Sequence, residues 1–225
     1  VILEIDFRQP QKVYDVLFGE DVLETEINKL TYETEIESIY LLGDFGVYNS
    51  NGYQYSWRKE LVCDDSFVIA KKPDYVYGDD FTSQGFCFFA GTMKLKQKLL
   101  LHEYDDSRGV KIESNKGKKY CYRFGRPNAA MAKLYVNGQK VQDVLWQPFE
   151  CDITKYVHTG ENEIVWELYA SNRNLLGPHH HQDGELYAVW PADFTDTPHT
   201  FKKDKRDVWS DEYHFVKFGL QGGTV

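Results

Sequence analysis

Apolar and polar residues alternate through most of the chain beyond residue 86. Met93, Leu95, Leu99 and Leu101 fall on one face of a run whose other face carries Thr92, Lys94, Lys96 and Lys98. That period of two marks a strand with one face in the core and one in solvent, the habit of antiparallel sheets. The pattern is strongest over residues 120–181. Tyr120, Tyr122 and Phe124 alternate with Cys121 and Arg123, and Ala130, Ala132, Leu134 and Val136 form a second alternating set. Asn137-Gly138 then supplies the two positive-φ residues of a type I′ hairpin turn. Phe149, Cys151 and Ile153 alternate again, and residues 152–157 read as one helical turn. The turn Thr159-Gly160-Glu161-Asn162 leads into Ile164, Trp166 and Leu168, which alternate with Val165, Glu167 and Tyr169. Residues 186–190 and 212–218 are the last strand signals. From 86 to 220 this makes about seven or eight strands and almost no helix, the profile of an antiparallel sandwich or jelly roll.

The first 85 residues are patterned less evenly. Residues 1–7 read as a strand without a preceding cap, resembling the run Glu163 to Leu168 that follows a turn. They are expected to close an earlier domain of a longer protein. Residues 12–18 form a mixed run, and residues 32–42 begin with strand-like alternation that Gly43-Asp44-Phe45-Gly46 ends. Asn49-Ser50-Asn51-Gly52 is a turn cluster. Residues 58–62 and 66–70 are expected to form a hairpin about Cys63-Asp64-Asp65, and residues 71–80 a connector. The expected organisation is a β-rich segment over 1–85, made of the end of a preceding domain and a connector, followed by an all-β antiparallel sandwich over 86–225.

Composition narrows the function classes. Aromatics make up 16% of the chain, a bias that suits pleated sheets and equally suits stacking on the C–H faces of sugars. A net charge of −9 argues against nucleic acid, whose phosphates need a basic surface. No apolar run approaches the ~18 residues of a membrane span, so no membrane association is expected. Cys63, Cys87, Cys121 and Cys151 are widely spaced and form no CxxC pair, which argues against zinc. Disulfides and compartment stay open, with a secreted or cell-surface place favoured over a cytoplasmic one.

The run Ala132 to Val141 with its Val136-Asn137-Gly138, then Pro148-Phe149-Glu150-Cys151-Asp152-Ile153-Thr154, then Gly160-Glu161-Asn162, resembles the sugar-binding, galactose-binding-like jelly roll of family-two glycoside hydrolases. Asn172 to His181, with Gln84 to Gly91 and Phe215 to Leu220, also resembles segments near the C-terminus of large bacterial glycoside hydrolases. The resemblance implies an accessory, non-catalytic β-sandwich that binds a glycan or polysaccharide, or packs on the catalytic domain of the same parent chain. It also implies a structural calcium ion. The motifs themselves are structural: Asn137 and Gly138 turn the chain, and Asp152 caps the short helical turn.

Candidate chemistry is concentrated in residues 172–185. Arg173, Asn174, His179, His181 and Asp183 are the expected carbohydrate contacts, because planar polar groups suit hydroxyls that both donate and accept. Trp146 and Trp190 are the expected aromatic platforms, and Trp209 is a further loop aromatic. His179 and His181 share a face of an extended chain and are the pair that could meet a metal. Glycoside hydrolysis would need two carboxylates, such as Asp183 and Glu185, facing each other across a cleft. No GxSxG, P-loop or dinucleotide fingerprint occurs. The alternatives are a purely structural interdomain scaffold, or a jelly-roll hydrolase or lyase.

Overall fold

The computed structural model describes residues 4, 8–31, 39–57, 60–101, 119–185, 202–203, 206–207 and 209–221. Contacts gather into two compact units, Val1–Gly43 and Asp44–Val225. In the first unit, α1 (Gln11–Phe18) and α2 (Glu24–Ile27) are helices. The run read as residues 12–18 is therefore helical. Pro10 presets the entry with φ −54°, and Tyr14 stacks on Phe18 four positions later with ring centroids 6.4 Å apart. The strand signals at 1–7 and 32–38 lie outside the described residues apart from Glu4, and residues 39–42 carry no strand.

In the second unit the described strands all pair antiparallel, with one isolated parallel bridge between Val47 and Phe86. Its strands are β1 (Gly46–Asn49), β2 (Gln54–Tyr55), β3 (Glu60–Cys63), β4 (Phe67–Ala70), β5 (Thr92–Leu101), β6 (Cys121–Arg123) and β7 (Met131–Val136). They continue with β8 (Gln139–Val144), β9 (Glu150–Asp152), β10 (Gly160–Tyr169), the short helix α3 (Arg173–Leu176), β11 (Lys202–Lys203), β12 (Arg206–Asp207) and β13 (Tyr213–Val216). A four-stranded sheet has the order β5-β10-β7-β8. The Asn137-Gly138 turn joins β7 to β8 with φ of 49° and 77°, as a type I′ turn requires.

The inner face of this sheet is the main core. Trp166 pairs with Leu134 and Leu95, and Leu168 with Ala132 and Met93. Tyr122 and Phe124 from the β6 side and Cys151 and Ile153 from the β9 side pack against them, with Phe81, Phe218 and Leu220 closing the cluster. The Phe124 ring meets Trp166 edge-on at 4.7 Å. Burying such large rings dominates the stability of a unit of this size, since each contributes several kcal/mol, about 3–5 when truncated to Ala. On the outer face Lys94, Lys96 and Lys98 reach Glu167, Glu163 and Glu161 at 3.8, 3.4 and 2.9 Å.

A second sheet has the order β13-β3-β2. One face buries Leu61, Cys63 and Phe215 with Cys87, and Phe67, Phe88 and Tyr213 pack on it edge-to-face. The other face carries Glu60, His214 and Val216. β3 and β4 do not form the expected hairpin: β3 pairs with β13 and β2, and β4 pairs with β1. The corner between them is tied to a different turn. Asn49 donates to the carbonyl and carboxylate of Asp64 at 2.8 and 2.9 Å, and the Ser50 amide donates to the Ser66 carbonyl at 2.9 Å. These bonds draw the two strands into separate sheets. The sequence reading divides the chain at 85/86, whereas the compact unit starts at Asp44, because β3 is the bonded partner of β13.

Candidate functional site

The segment expected to face a ligand, residues 172–185, is mostly half-buried, and several of its polar side chains are used within the unit. The Asn174 carboxamide is used by one backbone residue: its NH2 donates to the Val216 carbonyl and its oxygen accepts the Val216 N–H, both at 2.8 Å. It acts as a short extra strand on β13. Arg173 pairs with Glu185 at 2.7 Å and donates to the His214 carbonyl at 3.2 Å. The His179 ring sits among Phe88, Tyr213 and Phe215, and neither ring nitrogen makes a hydrogen bond of normal geometry. Burial, followed by the nearby Arg173 charge, pushes its pKa down, so the ring is held neutral. His180 stacks on Trp209 at 4.5 Å, and the buried His181 accepts the Asp183 N–H at 3.1 Å. Asp183 itself is half-buried.

The two expected platforms part company. Trp146 stands 74% exposed between β8 and β9, away from residues 172–185 in the chain. Trp190 lies outside the described residues. Trp209 is occupied by the His180 stack and donates to Asp211 at 3.0 Å.

A metal centre finds no ligand set among the described residues, where no three His, Cys, Asp or Glu side chains gather in a suitable group. The densest oxygen cluster, around Asp64, does not fit calcium either. Two amide NH2 groups and the Ser66 N–H point at that carboxylate, and they hold its pKa down at about 2. Calcium needs oxygen acceptors where these donors stand. The four cysteines are free thiols, and burial pushes Cys63 up to about 12 and Cys87 and Cys151 to about 11. Those three are buried packing residues whose raised pKa keeps them protonated thiols.

A cavity beside this segment touches it only at Asn174. A cleft of about 830 Å³ is walled by Tyr55, Phe89 and Phe218 on its aromatic side and by Asp79, Arg126 and Lys217 on its charged side. Asn174 and Ser171 also reach it, so one expected contact residue is on its wall. Lys217 bridges to Asp79 at 3.2 Å and lies 5.0 Å from the Tyr55 ring centre. The Tyr55 hydroxyl donates to Asp80 at 2.7 Å; burial and that carboxylate push its pKa up to about 12. Asp79 is the one carboxylate on the wall among the described residues.

Six separate stretches of chain build this cleft, and sequence periodicity singles out none of its charged residues. The local signals were turn clusters: Gly125-Arg126-Pro127-Asn128, and the Tyr53-Gln54-Tyr55-Ser56-Trp57 run of alternating aromatic and polar residues. Behind the Ser56 wall lies a buried pair. Glu60 and His214 approach to 3.4 Å, and the Ser56 hydroxyl donates to the same Glu60 oxygen at 3.0 Å. Gly184, at φ 72°, is pressed so close to Glu60 that a Cβ there would strike the carboxylate. The carboxylate stands between hydroxyl and imidazole. A hydrolytic triad puts the imidazole in the middle, so this set activates no nucleophile.

No protein-family model matches the chain, and no curated protein matches it. Solved structures do. The chain is similar to a rhamnosidase from Novosphingobium sp. PP1Y, with 17% identity and a TM-score of 0.32 over 63% of this chain and 12% of that one. It is similar to a β-D-glucuronidase of Dictyoglomus thermophilum, with 17% identity and a TM-score of 0.32 over 79% and 29%. It is also similar to a family 2 glycosyl hydrolase from Bacteroides cellulosilyticus DSM 14838, with 19% identity and a TM-score of 0.29 over 56% and 17%. The chain thus spans between 12% and 29% of the length of these three proteins.

Proposed function

We propose that this chain is a non-catalytic carbohydrate-binding module of a larger glycoside hydrolase, a galactose-binding-like sandwich that works beside the catalytic domain of the same parent chain. The cleft between Tyr55 and Arg126 carries this reading. Its lining sets the exposed Tyr55 ring and the half-buried Phe89 ring beside polar donors and acceptors, which suits a sugar's apolar C–H faces and hydroxyls. Among the described residues the wall carries a single carboxylate, Asp79, whereas glycoside hydrolysis uses a carboxylate pair across the scissile bond, which supports the binding reading. The Asn137-Gly138 hairpin of the motifs that resemble family-two glycoside hydrolases has its expected positive φ angles, and residues 154–156 form a turn, which is compatible with this reading.

Calorimetric titration of the 225-residue chain against a panel of neutral and acidic oligosaccharides tests the proposal. Binding is expected, with Tyr55→Ala weakening it roughly tenfold or more, the loss typical of a central aromatic contact. A folded chain that binds none of them sinks it. A second reading, an interdomain scaffold, is favoured by one observation: Arg173, Asn174, His179 and His180 are spent on contacts within the unit. That outcome of the titration would leave the scaffold role standing.

A further inference from the structure

The cleft has three charged side chains, Asp79, Lys217 and Arg126. Asp79 and Lys217 neutralise each other at 3.2 Å. Arg126 is exposed and makes no hydrogen bond or ion pair with any described residue. Other described surface cations near an acid are paired, as Arg123 is with Glu150 at 3.0 Å and Lys140 with Asp143 at 2.7 Å. An unmatched guanidinium on a cleft wall is notable in a chain of net charge −9.

Its backbone is also fixed. The Phe124 N–H donates to the Phe149 carbonyl at 3.1 Å on one side. On the other, Asn128 and Gly219 exchange both backbone hydrogen bonds at 2.8 and 3.0 Å. Pro127 stiffens the residue between. The side chain therefore leaves a backbone that needs no ordering when a ligand arrives, which lowers the entropic cost of the contact.

We propose that the cleft selects acidic saccharides, with the Arg126 guanidinium taking the carboxylate of a uronic acid while the aromatic wall takes the sugar ring. This rests on the glycan-binding reading above and adds the ligand's charge to it. The planar fork of Arg matches a carboxylate with two parallel N–H···O bonds, a geometry Lys lacks.

The test titrates the full chain with a galacturonate tetrasaccharide, with its neutral methyl ester and with a sulfated galactan tetrasaccharide. Each titration is repeated on Arg126→Gln and Arg126→Lys. The free acid is expected to bind on the order of tenfold or more tighter than the ester, the size of a charge-assisted pair. Arg126→Gln should erase that difference, and Arg126→Lys should restore part of it. Equal affinity for acid and ester overturns the inference and leaves the glycan-binding reading intact. Binding confined to the sulfated sugar overturns the carboxylate assignment. No binding by any of the three overturns both.

Discussion

At the scale of single residues, the side chains with the richest hydrogen bonding are amides in turns. Asn137 and Asn162 were legible as turn residues from their Asn-Gly and Gly-Glu-Asn settings. The link between them was not, because it joins positions 25 residues apart: Asn137 donates to the Asn162 oxygen at 2.8 Å. Asn162 is fully buried and also serves the His158 N–H, the His158 carbonyl and the Gly160 carbonyl. Asn162→Ala is expected to cost about 3 kcal/mol, since buried partners are left without water. Urea unfolding at pH 7 measures it, and a loss under about 1 kcal/mol would contradict it. His179 gives a pH signature. Its folded pKa is depressed below the ordinary 6.5, so the unfolded chain takes up the proton first. Its contribution to stability is complete above about 6.5 and is lost as the pH falls from there toward the lowered folded value. His179→Phe should flatten that slope in melting temperature across the interval, and an unchanged slope would reject the assignment.

At the scale of elements, alternation identified β5, β7 and β10 with the correct inward faces, because a period of two fixes which side of a strand is buried. It failed where short strands choose partners. β3 and β4 both exist, but residues 49–51 and 64–66 tie the corner and redirect them, and local pattern carries no information about that choice. Helix α1 was missed because eight residues with Val13 and Leu17 spaced four apart read equally as a mixed run. The Lys–Glu rows between β5 and β10 look like a stabilising lattice, yet the lysines are mostly solvated. Lys96→Ala is expected to change stability by no more than about 0.5 kcal/mol, less in 1 M salt. Chemical denaturation at low and high salt decides whether the rows matter more than that.

At the scale of the whole molecule, the all-β character was legible, and the location of the cleft was not. Its walls come from segments around residues 55, 79, 89, 126, 171 and 217, which long-range pairing brings together. The same pairing makes a prediction about boundaries. A fragment of residues 44–225 should unfold cooperatively, whereas 86–225 lacks the strand that covers β13 and should expose the Phe215 face and aggregate. Calorimetry and light scattering on the two fragments separate these outcomes; a cooperative, monomeric 86–225 would refute the prediction. The β3–β13 pairing also sets a schedule. Glu60 and His214 stand 154 positions apart. At the ribosome's pace of ~5–20 residues per second, β3 emerges on the order of ten seconds before its partner exists. For that interval Leu61 and an open strand edge are offered to any passing chain, so chaperone shelter of the nascent polypeptide matters most while the β13 partner of this core is still unmade.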